Sequence, residues 1–403
     1  MTNPLSAGTI ALVRASVPAL AAQGAQITQK MYARLFLDDH IKALFNHGNQ
    51  GEGGAQVHAL AAAILGYAQN IENLGALAPV VERIAQKHIG YHILPEHYPY
   101  VAKALLGALE EVLGDAATPE LLAAWGDAFW FLADILKARE VVIRNEIEKS
   151  EGGWEGWRRF RVEKKVRESE VITSFVLRPV DGEPVIAHRA GQYLTLRLDR
   201  PGGETLKRNY SISSAANGET YRISVKRETQ GAASRWLHDF VHEGDVIETT
   251  PPAGDFFLPE KPQRPVVLLS GGVGLTPMVS MVETIAREHP HLETHYVHGT
   301  TSSATHAMDD HVRALSKDND NIRVATFYSQ PAAADAAGHT HDVDGNITIE
   351  WLKENTPITE ADVYLCGPKP FLRAFVSGLS LAGVPSDKIH YEFFGPADEL
   401  IAA

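Results

Sequence analysis

A chain of 403 residues is too long for one ordinary hydrophobic core and suits two or three domains. Its formal net charge of -13 argues against a nucleic acid or an anionic membrane surface as the main partner. The single cysteine, Cys366, excludes an internal disulfide framework and fits a reducing compartment. No apolar run has the length of a membrane span and the first residues do not resemble a signal peptide, so we expect a cytoplasmic protein.

Helical periodicity extends over residues 6–149, interrupted by proline and glycine, and predicts an all-α domain. With Pro79 in the first turn of a helix, Val80, Ile84 and His88 fall on one face. We therefore expect His88 to point inward.

Two other predicted helices carry polar groups on apolar stripes. Gln56 recurs at helical spacing with Leu60 and Tyr67, so its amide needs a partner. Tyr32 falls on the apolar side of a helix predicted over residues 28–37. Each of these residues alone is more often part of a plain core.

A run rich in charge and glycine at residues 148–157 ends the helical pattern and is typical of a linker. Beyond it, short alternating segments separated by turn residues predict a small antiparallel barrel. Its predicted strands are 171–177, 192–198, 209–213, 221–226 and 246–250.

From about residue 265 strands alternate with helices, which predicts a parallel sheet covered by helices on both faces. The predicted strands are 266–269, 295–298, 323–328, 363–365 and 389–393. An alanine-rich stretch at 332–338 is expected to be a surface loop.

The strand predicted at 209–213 begins beside a stretch suited to a flavin. Arg208 offers a guanidinium for a diphosphate, Tyr210 a ring to stack on the isoalloxazine, and Ser211 a hydroxyl for its polar edge. Each of the three signals is weak by itself.

A glycine-rich segment follows the strand at 266–269 and opens a helix, where a backbone can approach a pyrophosphate. It consists of Gly271, Gly272, Val273, Gly274, Leu275, Thr276 and Pro277. No lysine follows the glycines as in a P-loop, and Pro277 occupies the place of the third glycine of G-x-G-x-x-G. The alternative is a tight strand-to-helix turn without a ligand.

A second candidate for nucleotide binding is formed by Cys366, Gly367 and Pro368, which end another buried strand. Alone, Cys366 is better explained as a buried structural thiol. Because the carboxyl ends of parallel strands meet at one edge of a sheet, the two segments together favour binding.

Taken together, these motifs resemble a known family. R-x-Y-S at 208–211, G-x-G-x-x-P at 272–277, C-G-P at 366–368 and Y-E-F-F-G-P at 391–396 are similar to a ferredoxin-NADP reductase-type module, and the upstream helices resemble a globin. Their fusion in this order resembles flavohemoglobin over residues 10–396. The resemblance implies a globin fold at 1–149, an antiparallel β-barrel FAD-binding domain at 150–260 and an α/β parallel-sheet NAD(P)-binding domain at 261–403.

For the globin part, the resemblance implies that His88 is the axial ligand of a heme b iron. Tyr32 and Gln56 match the distal residues that hydrogen-bond dioxygen, and Tyr98 matches the proximal tyrosine. The heme pocket implied by the resemblance also contains Phe45, Leu60 and Lys87.

In the family, a glutamate of the last globin helix joins the proximal histidine and tyrosine. A count from Trp125 through Glu140 places Val142 at the matching position. Glu140 is two residues away, about 200° around a helix, and is expected to face elsewhere. The proximal cluster is therefore expected to lack this carboxylate or to take one from another element.

For the reductase part, the resemblance implies an FAD site and the nucleotide site described above. The implied FAD-binding residues are Tyr193, Arg208, Asn209, Tyr210, Ser211, Glu392, Phe393, Phe394, Gly395 and Pro396. Lys87 and Glu392 match a charged pair between heme and flavin, for which a weak surface salt bridge is the alternative. Residues 299–303 contain no arginine for a ribose 2′-phosphate, which favours NADH over NADPH.

The activity implied by the resemblance is nitric oxide dioxygenation, in which electrons pass from NADH through FAD to heme and nitric oxide and dioxygen give nitrate. One alternative is an oxygen carrier or sensor, which a missing proximal glutamate would favour. Others are a heme-independent flavin reductase and a lipid hydroperoxide reductase with lipid in an apolar distal pocket. The expected partners are small molecules, and we expect a monomer.

Overall fold

The computed structural model describes residues 4–45, 55–200 and 205–395. Internal contacts divide the chain into two compact units. The first is Met1–Lys149 with Asp199–Lys207 and Gly395–Ala403, and the second is Ser150–Leu198 with Arg208–Phe394. Within the described residues, no helix combines the length and the apolar character needed to cross a membrane.

The first unit is helical, as predicted. Its α-helices are α1 (Ala7–Ala15), α2 (Val17–Leu35), α3 (Asp39–Lys42), α4 (Ala55–Gln69), α5 (Ala78–Gly90), α6 (Tyr98–Leu113) and α7 (Pro119–Lys149). Trp125 of α7 is fully buried, and its indole N–H donates to the Ser16 hydroxyl at 3.2 Å. The Tyr67 hydroxyl donates to the Ala128 carbonyl at 2.8 Å, which fixes α4 against α7.

Helix α5 begins with Pro79 in its first turn, as predicted. Val80, which the periodicity placed on the inward face, is exposed. Ile84, predicted on the same face, and its neighbour Val81 do pack against Leu136 of α7. The prediction of the inward face was therefore wrong at Val80 and confirmed at Ile84.

The amino-terminal half of the second unit is a six-stranded sheet built from antiparallel strand pairs. The strands are β1 (Arg158–Arg167), β2 (Ile172–Pro179), β3 (Tyr193–Leu198), β4 (Leu206–Ser211), β5 (Tyr221–Lys226) and β6 (Val246–Thr249), with helix α8 (Ala232–Phe240) after β5. The order is β4-β3-β6-β1-β2-β5, and a bridge between Ile212 and Ile223 joins its two ends. This arrangement confirms the predicted antiparallel fold, although β1 was not predicted.

The carboxyl-terminal half is a six-stranded parallel sheet, also as predicted. Its elements are β7 (Val266–Gly271), α9 (Leu275–Glu288), β8 (Thr294–Thr300), α10 (Asp309–Asp318), β9 (Ile322–Tyr328), β10 (Val343–Asp344), α11 (Ile349–Asn355), β11 (Asp362–Cys366), α12 (Lys369–Leu381) and β12 (Ile389–Glu392). The order β10-β9-β8-β7-β11-β12 reverses direction between β7 and β11. Ligands of such sheets bind at the carboxyl ends of the strands at this reversal.

Candidate active site

A buried carboxylate joins two predicted site residues in the helical unit. Glu140 Oε1 lies 2.7 Å from His88 Nδ1 and accepts a hydrogen bond from the Tyr98 hydroxyl at 2.5 Å. The Tyr98 hydroxyl also lies 3.1 Å from His88 Nδ1. Burial, and then the bond to Glu140, raise the pKa of Tyr98, so its hydroxyl keeps its proton. The three groups form one compact proximal cluster.

The assignment of Val142 to the proximal position was wrong. Val142 is 45% exposed, whereas Glu140 is 1% exposed and faces the core. The reason is the phase of α7, whose buried face runs through Leu136, Glu140 and Ile143 at spacings of four and three residues. The carboxylate is supplied by Glu140 of α7 itself, two residues before the predicted position.

The proximal cluster engages one ring nitrogen of His88 and leaves the other for a metal. Because Nδ1 is engaged with the Glu140 carboxylate, Nε2 is the ring nitrogen that remains to bind a metal. A carboxylate behind the imidazole fixes its tautomer and increases its electron donation. The residues present on this side therefore fit a heme.

On the predicted distal side, Tyr32 is buried in α2 and its ring contacts two other aromatic rings. Its ring centre lies 5.5 Å from that of Phe36 and 5.7 Å from that of Phe45. Burial raises the pKa of Tyr32 to about 12, so the phenol is a hydrogen-bond donor at neutral pH. A cluster of this kind suits an apolar pocket with one donor.

Helix α4 is fixed beside the turn of α2 that precedes Tyr32. The Thr28 hydroxyl donates to the Val57 carbonyl at 2.9 Å, and Leu60 packs into the same core. Gln56 is in the first turn of α4, but its side chain lies outside the described residues, as does Pro396. Lys87, on α5, is exposed.

The predicted flavin stretch forms β4. Arg208 and Tyr210 share one face of that strand, because side chains two residues apart point the same way, and both are half-buried. Tyr193 begins the neighbouring β3, and its ring lies against Gly254, where a Cβ would approach a ring carbon to 3.0 Å. Asn209 accepts a hydrogen bond from the Thr195 hydroxyl at 3.0 Å. A guanidinium and two aromatic rings are thus present for a flavin.

The aromatic residues Phe393 and Phe394 follow β12 within the second unit, whereas Gly395 falls in the first. Glu392 ends this strand, and Phe393 after it is half-buried. Phe394 is 49% exposed. Gly395 is also exposed. The Phe394 ring has enough free surface to cover a flat cofactor.

The two predicted nucleotide-binding segments lie at the carboxyl ends of the neighbouring strands β7 and β11, where Ser270 pairs with Cys366. A Cβ on Gly274 would overlap the Cys366 carbonyl, and a Cβ on Gly367 would lie 2.7 Å from the Phe371 ring. These glycines let two backbones meet where α9 begins. Burial raises the pKa of the Cys366 thiol, so this group is inert.

Sequence reasoning missed a buried polar row at the same sheet edge. The Ser270 hydroxyl lies 2.8 Å from His298 Nδ1, and the rings of His298 and His306 are 5.0 Å apart. His306 Nδ1 lies 3.0 Å from the Tyr328 hydroxyl. Ser270 and His298 are paired residues of adjacent parallel strands, so their positions near the ends of these two strands could have indicated that they meet.

The geometry fits one class of protein, a two-part oxidoreductase, with a helical unit that holds a carboxylate-bound histidine and a second unit whose sheets carry the predicted flavin and dinucleotide segments. Comparison with family models gives the same division. Globin matches residues 29–136, the oxidoreductase FAD-binding domain matches 159–258, and the oxidoreductase NAD-binding domain matches 268–377.

Similar proteins cover the whole chain. It is 57% identical over 403 residues to the flavohemoprotein of Xylella fastidiosa, with 100% of both chains covered, and 43% identical over 407 residues to that of Rhodopirellula baltica, covering 99% of this chain and 100% of that one. The chain belongs to the flavohemoprotein family. This confirms the resemblance, the fold classes and the predicted cofactor classes, which are heme, FAD and a nicotinamide dinucleotide.

Two solved structures extend the comparison. A flavohemoglobin from Malassezia yamatoensis, with bound FAD and heme, is 26% identical with a TM-score of 0.87, covering 98% of this chain and 100% of that chain. The flavohem-like FAD/NAD-binding domain of nitric oxide dioxygenase from Vibrio cholerae is 37% identical with a TM-score of 0.54, covering 59% of this chain and 99% of that chain.

Proposed function

We propose that this chain is a nitric oxide dioxygenase that uses NADH, FAD and heme b to convert nitric oxide and dioxygen to nitrate. The observation that carries the proposal is the buried Glu140 carboxylate bonded to both His88 and Tyr98. A strongly donating histidine suits activation of dioxygen more than its reversible carriage. The oxygen-carrier alternative drew its support from a missing glutamate, and that support is gone.

Each cofactor would be held by residues of this chain. His88 would bind the iron, with Phe45 and Leu60 against the heme, and Tyr32 and Gln56 would donate hydrogen bonds on the other side. Arg208, Tyr210 and Ser211 would hold FAD, and the segments 271–277 and 366–368 would hold NADH. The domain boundaries we propose are 1–149, 150–260 and 261–403.

When bound, heme supplies the iron at which the two gases react, and FAD divides a two-electron hydride into single electrons. The Tyr98 hydroxyl and Glu140 hold the His88 imidazole in one tautomer and one orientation. Tyr32 keeps its proton and so remains a donor to a partly negative oxygen. Because each nitrate requires one electron, one NADH supports two turnovers.

We also propose NADH as the preferred electron donor. The Ser303 amide, in the loop after β8, donates to Asp335 Oδ2 at 3.2 Å, and the Ala332 amide donates to the same atom at 2.8 Å. Hydrogen bonds from Ser303 hold the pKa of Asp335 below its usual range, so a negative charge lies beside the segment 299–303, in which the sequence has no arginine for a 2′-phosphate. A kcat/KM ratio favouring NADPH would overturn this preference.

The proposal is tested by absorption spectra of the purified protein before and after NADH, under air and then with nitric oxide. We expect a Soret band, flavin bleaching by NADH, and rapid conversion of nitric oxide to nitrate. Slow nitric oxide decay with a stable oxygenated spectrum would indicate a carrier or sensor, and absence of a Soret band a flavin reductase. Faster NADH oxidation with lipid hydroperoxide than with nitric oxide would indicate the peroxide reductase.

A further inference from the structure

A largely buried glutamate on α9, Glu283, accepts hydrogen bonds from three groups outside its own helix. Glu283 Oε2 accepts from the Ala215 amide at 2.7 Å. Its Oε1 accepts from Arg222 Nη2 at 2.6 Å and lies 2.7 Å from His311 Nε2. The Glu283 side chain is 14% exposed, so these bonds are largely shielded from water.

Two of the three donors come from the antiparallel domain, Arg222 from strand β5 and Ala215 from the loop after β4, next to the flavin stretch. Arg222 of β5 also donates to the Ser213 carbonyl, and its Nε donates to the Ser213 hydroxyl at 3.3 Å. Ser213 and Ala215 directly follow β4, which carries Arg208 and Tyr210. Arg222 therefore connects α9 to the backbone that leaves the flavin site.

A second contact reinforces the first, one turn earlier on α9. The Ser280 hydroxyl donates to the Ser214 carbonyl at 2.8 Å, and His188 Nε2 lies 2.8 Å from the same oxygen. Residues 213–215 are thus bound to α9 at two positions one turn apart, Ser280 and Glu283. The amino-terminal end of that helix begins immediately after Gly274, in the proposed nucleotide loop.

Glu283 carries a charge in this position. Burial opposes ionisation, but the hydrogen bond from His311 and the charge and hydrogen bond of Arg222 outweigh it and hold the pKa of Glu283 below its ordinary value. Separating a partly buried carboxylate from its guanidinium partner is costly, because each would be left with its charge uncompensated.

We infer that Glu283 is a positioning residue for hydride transfer: through Arg222 and Ala215 it fixes the helix that begins at the nicotinamide nucleotide loop against the strand that holds the flavin. Hydride transfer requires the donor and acceptor atoms in contact, and small displacements cost large factors in rate. The inference rests on the proposed function, since it assumes that NADH reduces FAD in this unit.

The test is anaerobic stopped-flow reduction of the flavin in the full-length holoprotein, with an NADH concentration series. For Glu283→Gln we expect the limiting rate at saturating NADH to fall about tenfold, with the dissociation constant for NADH changed less than about twofold. NADH deuterated at the transferred position should give a larger isotope effect than in the wild type, because the misplaced donor makes the hydride step more strongly rate-limiting. Arg222→Lys keeps the positive charge but loses the planar guanidinium that donates to several acceptors at once, so it should show the same pattern.

Glu219→Gln is the matched control. Glu219 makes a salt bridge with Arg178 at 3.3 Å in the same unit, but its side chain is 69% exposed. This variant should reduce its flavin at the wild-type rate. Wild-type limiting rates in both Glu283→Gln and Arg222→Lys would overturn the inference, and so would rate losses that only follow lost FAD content.

The two proposals fail differently. If the wild type reduces its flavin with NADH but does not convert nitric oxide to nitrate, the proposed function is refuted and the flavin kinetics still decide the role of Glu283. If NADH does not reduce the wild-type flavin, both are refuted.

Discussion

Replacement of Glu140 by glutamine is the sharpest test of the proximal cluster. In Glu140→Gln the side chain keeps its shape and still presents an oxygen to Tyr98, but it loses the negative charge behind His88. Charge-assisted hydrogen bonds contribute about 2 kcal/mol each and neutral ones about half of that, so weakening two bonds should cost about 2 kcal/mol of stability. The loss of a carboxylate behind a ligating histidine should slow nitric oxide consumption about ten- to a hundredfold.

The direct measurement is resonance Raman of the reduced protein. Because a neutral partner donates less electron density through the imidazole, the iron–histidine stretching band of Glu140→Gln should move to lower frequency. Val142→Gln is the control, since it lies two residues away on the same helix and is exposed. An unmoved band in Glu140→Gln, or an equal shift in Val142→Gln, would refute the assignment of Glu140.

Three further predictions concern other parts of the chain. Gly274→Ala should destabilise the protein by about 2 kcal/mol and weaken NADH binding, because its Cβ would overlap the Cys366 carbonyl. In the control Gly66→Ala, in α4, the new Cβ meets nothing within 4 Å and should not destabilise the protein. Thermal unfolding and NADH titration of the two variants test this prediction. Burial lowers the pKa of His188 from 6.5 to about 4, so the free energy of unfolding should fall by about 3 kcal/mol as the pH drops between these two values. In urea unfolding, the stability of His188→Gln should depend less on pH over this range. Tyr32→Phe removes a buried donor and should weaken dioxygen affinity about tenfold in flash photolysis, while an unchanged affinity would exclude Tyr32 from the distal site.

The fold classes were predictable because each has a strong periodic signature. The parallel sheet shows as nearly continuous apolar runs, such as β7, in which all six residues are buried. Since parallel strands end at a common edge, the meeting of Gly274 with Cys366 followed from the sequence. Strand β1 was missed because charged residues dominate it and only Phe160 and Val162 are buried.

The site was less predictable where it depended on the phase of a helix. Counting along a family pattern selected Val142, but the apolar spacing of Leu136 and Ile143 in the sequence itself puts Glu140 on the buried face. The local periodicity was the better guide. No local pattern could have indicated Glu283, whose partners Ala215 and Arg222 lie 68 and 61 residues away in the chain.

The position of β12 at one edge of the parallel sheet affects how the protein is made. Among the described residues, β12 is the last strand in the sequence, and β11 is its one neighbour in the sheet. During synthesis the globin helices and the antiparallel sheet can fold as their residues emerge, since domains generally fold in order from the amino terminus. The parallel sheet, in contrast, gains its edge strand and the aromatic residues that follow it only after all its other described strands have been synthesised. A nascent chain stalled shortly before that point would have an unpaired β11 edge, which is an aggregation hazard.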